Sequence, residues 1–406
     1  MRFKMKATTA PGPANKLLGL EVLRFLTAFA ILVFHYRHFA FVADKPVGLV
    51  NDQLPLYRLL HVFYDHGPYG VWIFWCISGF IFFWKYRDAV ADRSVGGWKF
   101  FTLRFSRLYP LHIATLLLVA LVQPLYFNLT GYFFVYQDND LAHFLPQLLM
   151  ASNWGFQDAL SFDGPIWSIS VEVLVYFFFF VMLLATRSWL LNLVVIAVCL
   201  MAGGRAAADC LTASGQIPAC FAFFYAGGLA AMARRAVMPS VYRLAAESAG
   251  WLAVIVLPLC AWHFTKGHLE SMDFLVLLLT FTPILLFCVS RDIVMPASLQ
   301  KVVEAAGNMT YSSYLLHFPI QLIAVAGFAI VGAPIPLYDA TFFGLFIATT
   351  LLASYLSYRY FEAPAQNLIR ELLLRPRAAR QQTAPDDCLH HAMQGKSAKS
   401  PAGGSL

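Results

Sequence analysis

The sequence predicts an all-α polytopic membrane protein of about ten transmembrane helices, with both termini cytoplasmic. Three observations carry this reading. Of the 406 residues, 59% are hydrophobic and only 13% charged, which is more apolar surface than a water-soluble chain can bury. Apolar runs recur at the length that crosses about 30 Å of hydrocarbon. Lys and Arg collect in alternate loops, as the positive-inside bias requires.

The first apolar run, 17–42, follows a basic segment whose Arg2, Lys4, Lys6 and Lys16 place the N-terminus inside. Such a start resembles a signal peptide, but the run passes Ala30 without a small-residue cleavage site, so it is expected to persist as an anchor. Further spans are expected at about 67–84, 101–124, 166–186, 188–204, 217–233, 249–264, 272–290, 310–332 and 338–360. Loop 85–100 (Lys85, Arg87, Arg93, Lys99), Arg187, loop 234–248 (Arg234, Arg235, Arg243) and loop 291–309 (Arg291, Lys301) then fall on the cytoplasmic side. Positions 108–186 contain no Lys or Arg, whereas Arg37, Lys45, Arg58, Arg205 and Lys266 are exceptions to the bias. The run 188–204 is short and holds Gly203 and Gly204, and 141–154 reads as a re-entrant or interfacial helix or as part of a loop. Loop 125–165 on the outer side is the candidate lid. From about Arg375 the composition turns to Arg, Gln, Ser, Pro and Gly, which predicts disorder. The expected plan is a cytoplasmic segment 1–16, an integral membrane domain 17–370 and a tail 371–406, with no fixed repeat and no second soluble domain.

Charge and cysteine usage exclude other classes. The net charge of +7 sits in short loops and tails, so a nucleic-acid partner is not expected. Trp72, Trp75, Trp84, Trp98, Trp167 and Trp262 fall near segment ends, where aromatic belts form. The seven cysteines form no CxxC and mostly lie in apolar runs, as buried thiols do; Cys210 and Cys220 are placed where they could pair at one membrane face. Cys388 with His390 and His391 is a weak metal signal, and no metal is expected.

Chemistry concentrates in five places. Arg24 and His35 lie eleven residues apart, which brings them to within about 20° of one helix face and about 16 Å apart along it. A cation at the membrane edge and an imidazole near the midplane mark a functional site, since intramembrane ionisable groups are costly; Glu21 lies beside Arg24. Neutral imidazole can take a hydroxyl proton or attack an acyl carbonyl near neutral pH. Arg104 and Arg107, three residues apart, share a face, and they suit either positive-inside anchoring or bidentate contact with phosphates. No P-loop or GxGxxG accompanies them. Ser78 and Gly79 read best as helix packing. Glu172, with Ser168 and Tyr176 four residues to either side, must be paired, protonated or water-exposed. His317 with Tyr314 lies about two turns into its span, and Arg359, Glu362 and Pro364 read as a helix terminus at the cytoplasmic surface.

Taken in order, LEVLRFLTAFAILVFHY, GVWIFWCISGF, FTLRFSRLYP, GPIWSISVEVLVY, YSSYLLHFPI and YFEAP resemble the successive signatures of the membrane acyltransferase-3 family over about 17–370. The resemblance implies a roughly ten-helix enzyme of a bacterial inner membrane. Its donor is cytosolic acyl-CoA, usually acetyl-CoA, and its acceptor a hydroxyl of an extracytoplasmic or membrane-presented carbohydrate such as exopolysaccharide or O-antigen. It also implies that His35 and Arg24 are catalytic, that Arg104 and Arg107 meet the CoA phosphates, and that Ser78, Gly79, Phe80 and Glu172 are patterned positions; Lys99 is a further candidate for the phosphates. Tyr176 and His317 are carried as supporting residues. The first block departs from the family pattern in having Val22 and Phe25 where Gly is usual, which bears on local packing. The rival reading is a transporter or flippase lined by Arg24, Glu172 and His317; a scaffold or glycan sensor that retains the fold is a third.

Overall fold

A computed structural model describes residues 17–157, 159–203, 213–265, 271–291 and 293–374. The helices run α1 (Leu18–His35), α2 (Tyr57–His66), α3 (Gly70–Ala91), α4 (Gly97–Thr130), α5 (Leu141–Leu148), α6 (Ile166–Ala185), α7 (Trp189–Gly203), α8 (Ala213–Val237), α9 (Arg243–Thr265), α10 (Ser271–Val289), α11 (Ala297–Asn308), α12 (Thr310–Val331), α13 (Ala340–Ser357) and α14 (Ala363–Leu374). One tight hairpin, β1 (Phe41–Val42) with β2 (Lys45–Pro46), interrupts them after α1. Among the described residues, eight helical stretches are long and apolar enough to cross a bilayer, and the shorter Trp189–Ala202 and Leu275–Val289 coincide with two further expected spans. The chain is an all-α polytopic membrane protein.

Differences from expectation have physical causes. Hydropathy ends where charges begin, but a helix need not: α3 continues through Lys85 and Arg87 to Ala91, and α4 begins at Gly97, before its apolar run. The 141–154 region forms only the eight-residue α5, capped by Asp140 accepting from His143 N, and it is too short to cross. Glu362 and Pro364 are not a helix terminus. A wide π turn, Tyr358–Glu362, joins α13 to α14 in one continuous helix, and Pro364 follows just after the widened turn. The segment 1–16, Cys210, Arg205, Lys266 and the tail from 375 with Cys388, His390 and His391 lie outside the described residues. Cys220 is a buried free thiol.

Two packing relations position the site. Helix α1 lies along α12 in the same direction: Arg24 meets Thr310 and the His35 carbonyl meets Gln321, a constant offset of 286 residues over about three turns. Helices α3 and α8 touch backbone to backbone, since a Cβ on Gly79 would lie 1.8 Å from Phe224 O and one on Gly227 1.9 Å from Cys76 O. Aromatic rings fill the space around this contact, among them Trp75, Phe80, Phe179 and Phe224. A second apolar cluster, with Tyr36, Val119, Phe318 and Phe346, holds α1, α4, α12 and α13 together.

Substituting Gly79→Ala should cost about 1–3 kcal/mol by overpacking. Gly344→Ala, where a Cβ meets nothing within 4 Å, should be neutral or stabilising. Thermal unfolding of the two detergent-purified variants tests the contrast, and equal midpoints would refute the close approach.

Candidate active site

The α1 register creates the first part of the site. Arg24 donates through Nη1 to Glu21 Oε2 and through Nη2 to Thr310 Oγ1, both at 3.0 Å, and Thr310 donates onward to Gly307 O at 2.9 Å. A Cβ on Gly307 would lie 1.9 Å from Glu21 Oε2, so the ion pair sits against bare backbone of α11. Arg104 rises from α4 over the rings of Phe82 and Tyr86, 4.8 and 5.1 Å from their centroids, and donates to Tyr86 OH at 2.7 Å. One turn on, Arg107 donates to Asn308 O at 3.1 Å and faces Glu362 Oε2 at 3.6 Å. Glu362 is 1% exposed and also accepts from Ser312 Oγ, and from Ser357 Oγ at 3.2 Å. It is an interior counter-ion that orients Arg107, the opposite of the surface position expected.

These groups converge on one cavity of about 380 Å³. Its lining includes Glu21, Arg24, Ser78, Arg104, Arg107, Glu172 and Tyr176 from among the expected residues, and also Lys85, Tyr311, Tyr314, Tyr358, Gln366 and Arg370. Ser78 Oγ and Tyr176 OH are 3.3 Å apart, both adjoin Glu172, and the Tyr176 ring stacks on Phe82 at 4.2 Å. Lys99 is exposed and Arg359 is exposed with Tyr355 as partner; neither lines the cavity.

His35 and His317 do not line the cavity; they form an adjoining group beyond Tyr314. The His35 ring lies 4.7 Å from His317 and 4.9 Å from His38, and Tyr314 lies 6.1 Å from His317. Tyr314 is pinned by Ser168 Oγ at 2.7 Å and Pro165 O at 2.9 Å, so it stands as the partition between cavity and imidazoles. His35 Nδ1 is 2.9 Å from Ile31 O. A carbonyl only accepts, so Nδ1 carries the proton and Nε2 keeps its lone pair. The residue is half-buried, and both ring nitrogens of the neighbouring His317 are buried without a hydrogen-bond partner among the described residues. His38 and Gln321 complete this group. Sequence reasoning missed both: Gln321 is one polar residue in an apolar run, and His38 follows Arg37 just past the helical spacing that singles out His35.

Asp163, in the turn before α6, is a further residue with chemical character. It is 0% exposed, both carboxylate oxygens lack a well-formed hydrogen bond, and Thr115, Tyr136 and Tyr314 are its neighbours. Desolvation pushes its carboxyl up from 3.8 to about 7.

A family model described as an acyltransferase domain matches residues 17–359, well over half of the chain. The chain belongs to the acyltransferase-3 family. Within it, 176 residues are 29% identical to Acyltransferase MdmB of Streptomyces mycarofaciens, a match spanning 42% of this chain and 40% of that protein. No solved structure matches the chain. Of the site groups of this family member, Arg24, His35, Arg104, Arg107, Glu172 and His317 lie inside the matched segment, whereas Glu362, Gln366 and Arg370 lie past its end. Val22 is exposed and Phe25 stacks on Phe29 of its own helix, so their bulk does not crowd the Arg24 face.

The raised Asp163 carboxyl has a stability consequence with a defined sign. Burial raises this carboxyl from the ordinary 3.8 to about 7, so the native state holds the extra proton. The resulting stabilisation is full below about pH 4 and is lost as pH rises through 7. Asp163→Asn should therefore flatten the loss of thermal midpoint between pH 5 and pH 8, raising the pH 8 midpoint by on the order of 5 °C. Parallel pH curves for the two proteins would refute the buried neutral carboxyl.

Proposed function

We propose that this family member is a membrane-embedded O-acyltransferase of a bacterial inner membrane. It moves an acyl group, acetyl by the family resemblance, from cytosolic acyl-CoA to a hydroxyl of a membrane-presented or extracytoplasmic carbohydrate such as exopolysaccharide or O-antigen. The observation that carries this is the charge of the cavity beside a proton-accepting imidazole. Arg24, Lys85, Arg104, Arg107 and Arg370 line the cavity against only Glu21 and Glu172. Arg104 Nε is buried there without an acceptor, a donor that a phosphate oxygen satisfies.

In this reading Arg104 and Arg107 hold the donor phosphates, and Glu362 keeps Arg107 aimed inward. The thioester end lies toward Tyr314, and its approach to His35 requires the Tyr314 ring to yield. Ile31 O fixes the Nδ1–H tautomer, so His35 Nε2 takes the acceptor's hydroxyl proton as that oxygen attacks the thioester carbonyl. The new C–O bond forms, the C–S bond breaks, and the proton passes to the departing thiolate. Arg24, held by Glu21 and Thr310 about 16 Å along α1 from His35, fixes the α1–α12 register that sets the imidazole in place. Transient acylation of His35 is the alternative route, and rapid-quench trapping of acyl-protein without acceptor separates the two.

Acyl-CoA-dependent release of free thiol by the purified protein distinguishes transfer from transport. His35→Ala should lower that release by at least about 100-fold while leaving CoA affinity within about twofold. A folded His35→Ala protein that transfers at the normal rate overturns the assignment.

A further inference from the structure

The cavity has a wall that the Arg-x-x-Arg pair does not explain. Helix α14 contributes Gln366 and Arg370, both past the segment that matches the family. Arg370 Nε donates to Ser106 Oγ at 3.1 Å and Nη2 to Gln366 Oε1 at 3.0 Å, which fixes the guanidinium with no carboxylate in ion-pair distance among the described residues. Gln366 is 8% exposed, and its Nε2 is buried without an acceptor. A cation and an orphaned donor on one wall call for an oxyanion rather than a hydroxyl or an apolar group.

Position says which oxyanion. Glu362 meets Arg107 on α4, while Leu373 O accepts from Trp98 Nε1 near the start of α4. From Glu362 to Arg370 the chain advances eight residues, about 12 Å, in the direction away from His35. Arg370 thus lies farther from the imidazole than Arg107 does. Building on the acyl-CoA reading above, we infer that Arg370 and Gln366 form a second phosphate seat, separate from Arg104 and Arg107, for the phosphomonoester at the end of the donor remote from the thioester. A donor with a diphosphate and a distant monoester occupies both seats; a donor lacking the monoester occupies one.

Isothermal titration of the detergent-purified full chain with CoA, 3′-dephospho-CoA and inorganic pyrophosphate tests this. Arg370→Ala and Gln366→Ala should each weaken CoA binding, the former by about tenfold or more, and leave 3′-dephospho-CoA affinity unchanged. Arg370→Lys keeps the charge and should lose less, which guards against a folding defect in the alanine variant. Arg359→Ala, an exposed cation outside the cavity, should change neither ligand. Equal weakening of CoA and 3′-dephospho-CoA by Arg370→Ala, or no change in either, overturns the second seat. Should the wild-type chain bind no CoA yet bind pyrophosphate in an Arg370-dependent way, the acyl-CoA reading falls and the anion seat stands; binding of neither overturns both.

Discussion

The register between α1 and α12 is the constraint from which the site follows. Lipid tails are as apolar as leucine, so the pairing of two spans is set by close packing and polar contacts rather than by escape from water. Here two polar contacts at a constant offset, Arg24 with Thr310 and the His35 carbonyl with Gln321, bracket three turns of helix. A one-residue slip would rotate one helix by about 100° relative to the other and break both contacts together. The same register sets His35 beside His317, so the imidazole pair and the guanidinium anchor stand or fall as a unit.

Guanidiniums inside a membrane domain are costly, and those of Arg24, Arg104 and Arg107 are handled differently. Arg24 is neutralised by Glu21, and Arg107 faces Glu362. Arg104 is given aromatic faces and a phenol but no carboxylate among the described residues. The pairing of two and the incomplete satisfaction of the third leave the cavity cationic overall.

Much of this arrangement is legible in the sequence where a spacing rule applies. Eleven residues put Arg24 and His35 on one face, three put Arg104 and Arg107 together, and four join Glu172 to Tyr176, and each of these sets does share its wall or helix face. Helix periodicity says nothing, however, about how far a cavity extends. It set His35 about 16 Å along α1 from Arg24 without revealing that the imidazole lies outside the cavity that Arg24 lines. Residues whose role depends on a distant partner were invisible: Gln321 and Asp163 are single polar residues whose neighbours come from other elements. Glu362 was misread for a definite reason. A proline two residues on signals a stop, and only the wide turn before it shows that the helix resumes.

That wide turn links chain length to site geometry. Tyr358–Glu362 accommodates a residue more than regular winding would, and both Glu362 beneath Arg107 and the whole of α14 depend on where the surplus falls. Wound as regular α-helix with the same residues, this stretch would swing every later side chain by about 100°, carrying Gln366 and Arg370 off the cavity. Shortening the stretch by its one surplus residue would instead remove the widening and leave α14 facing the same way.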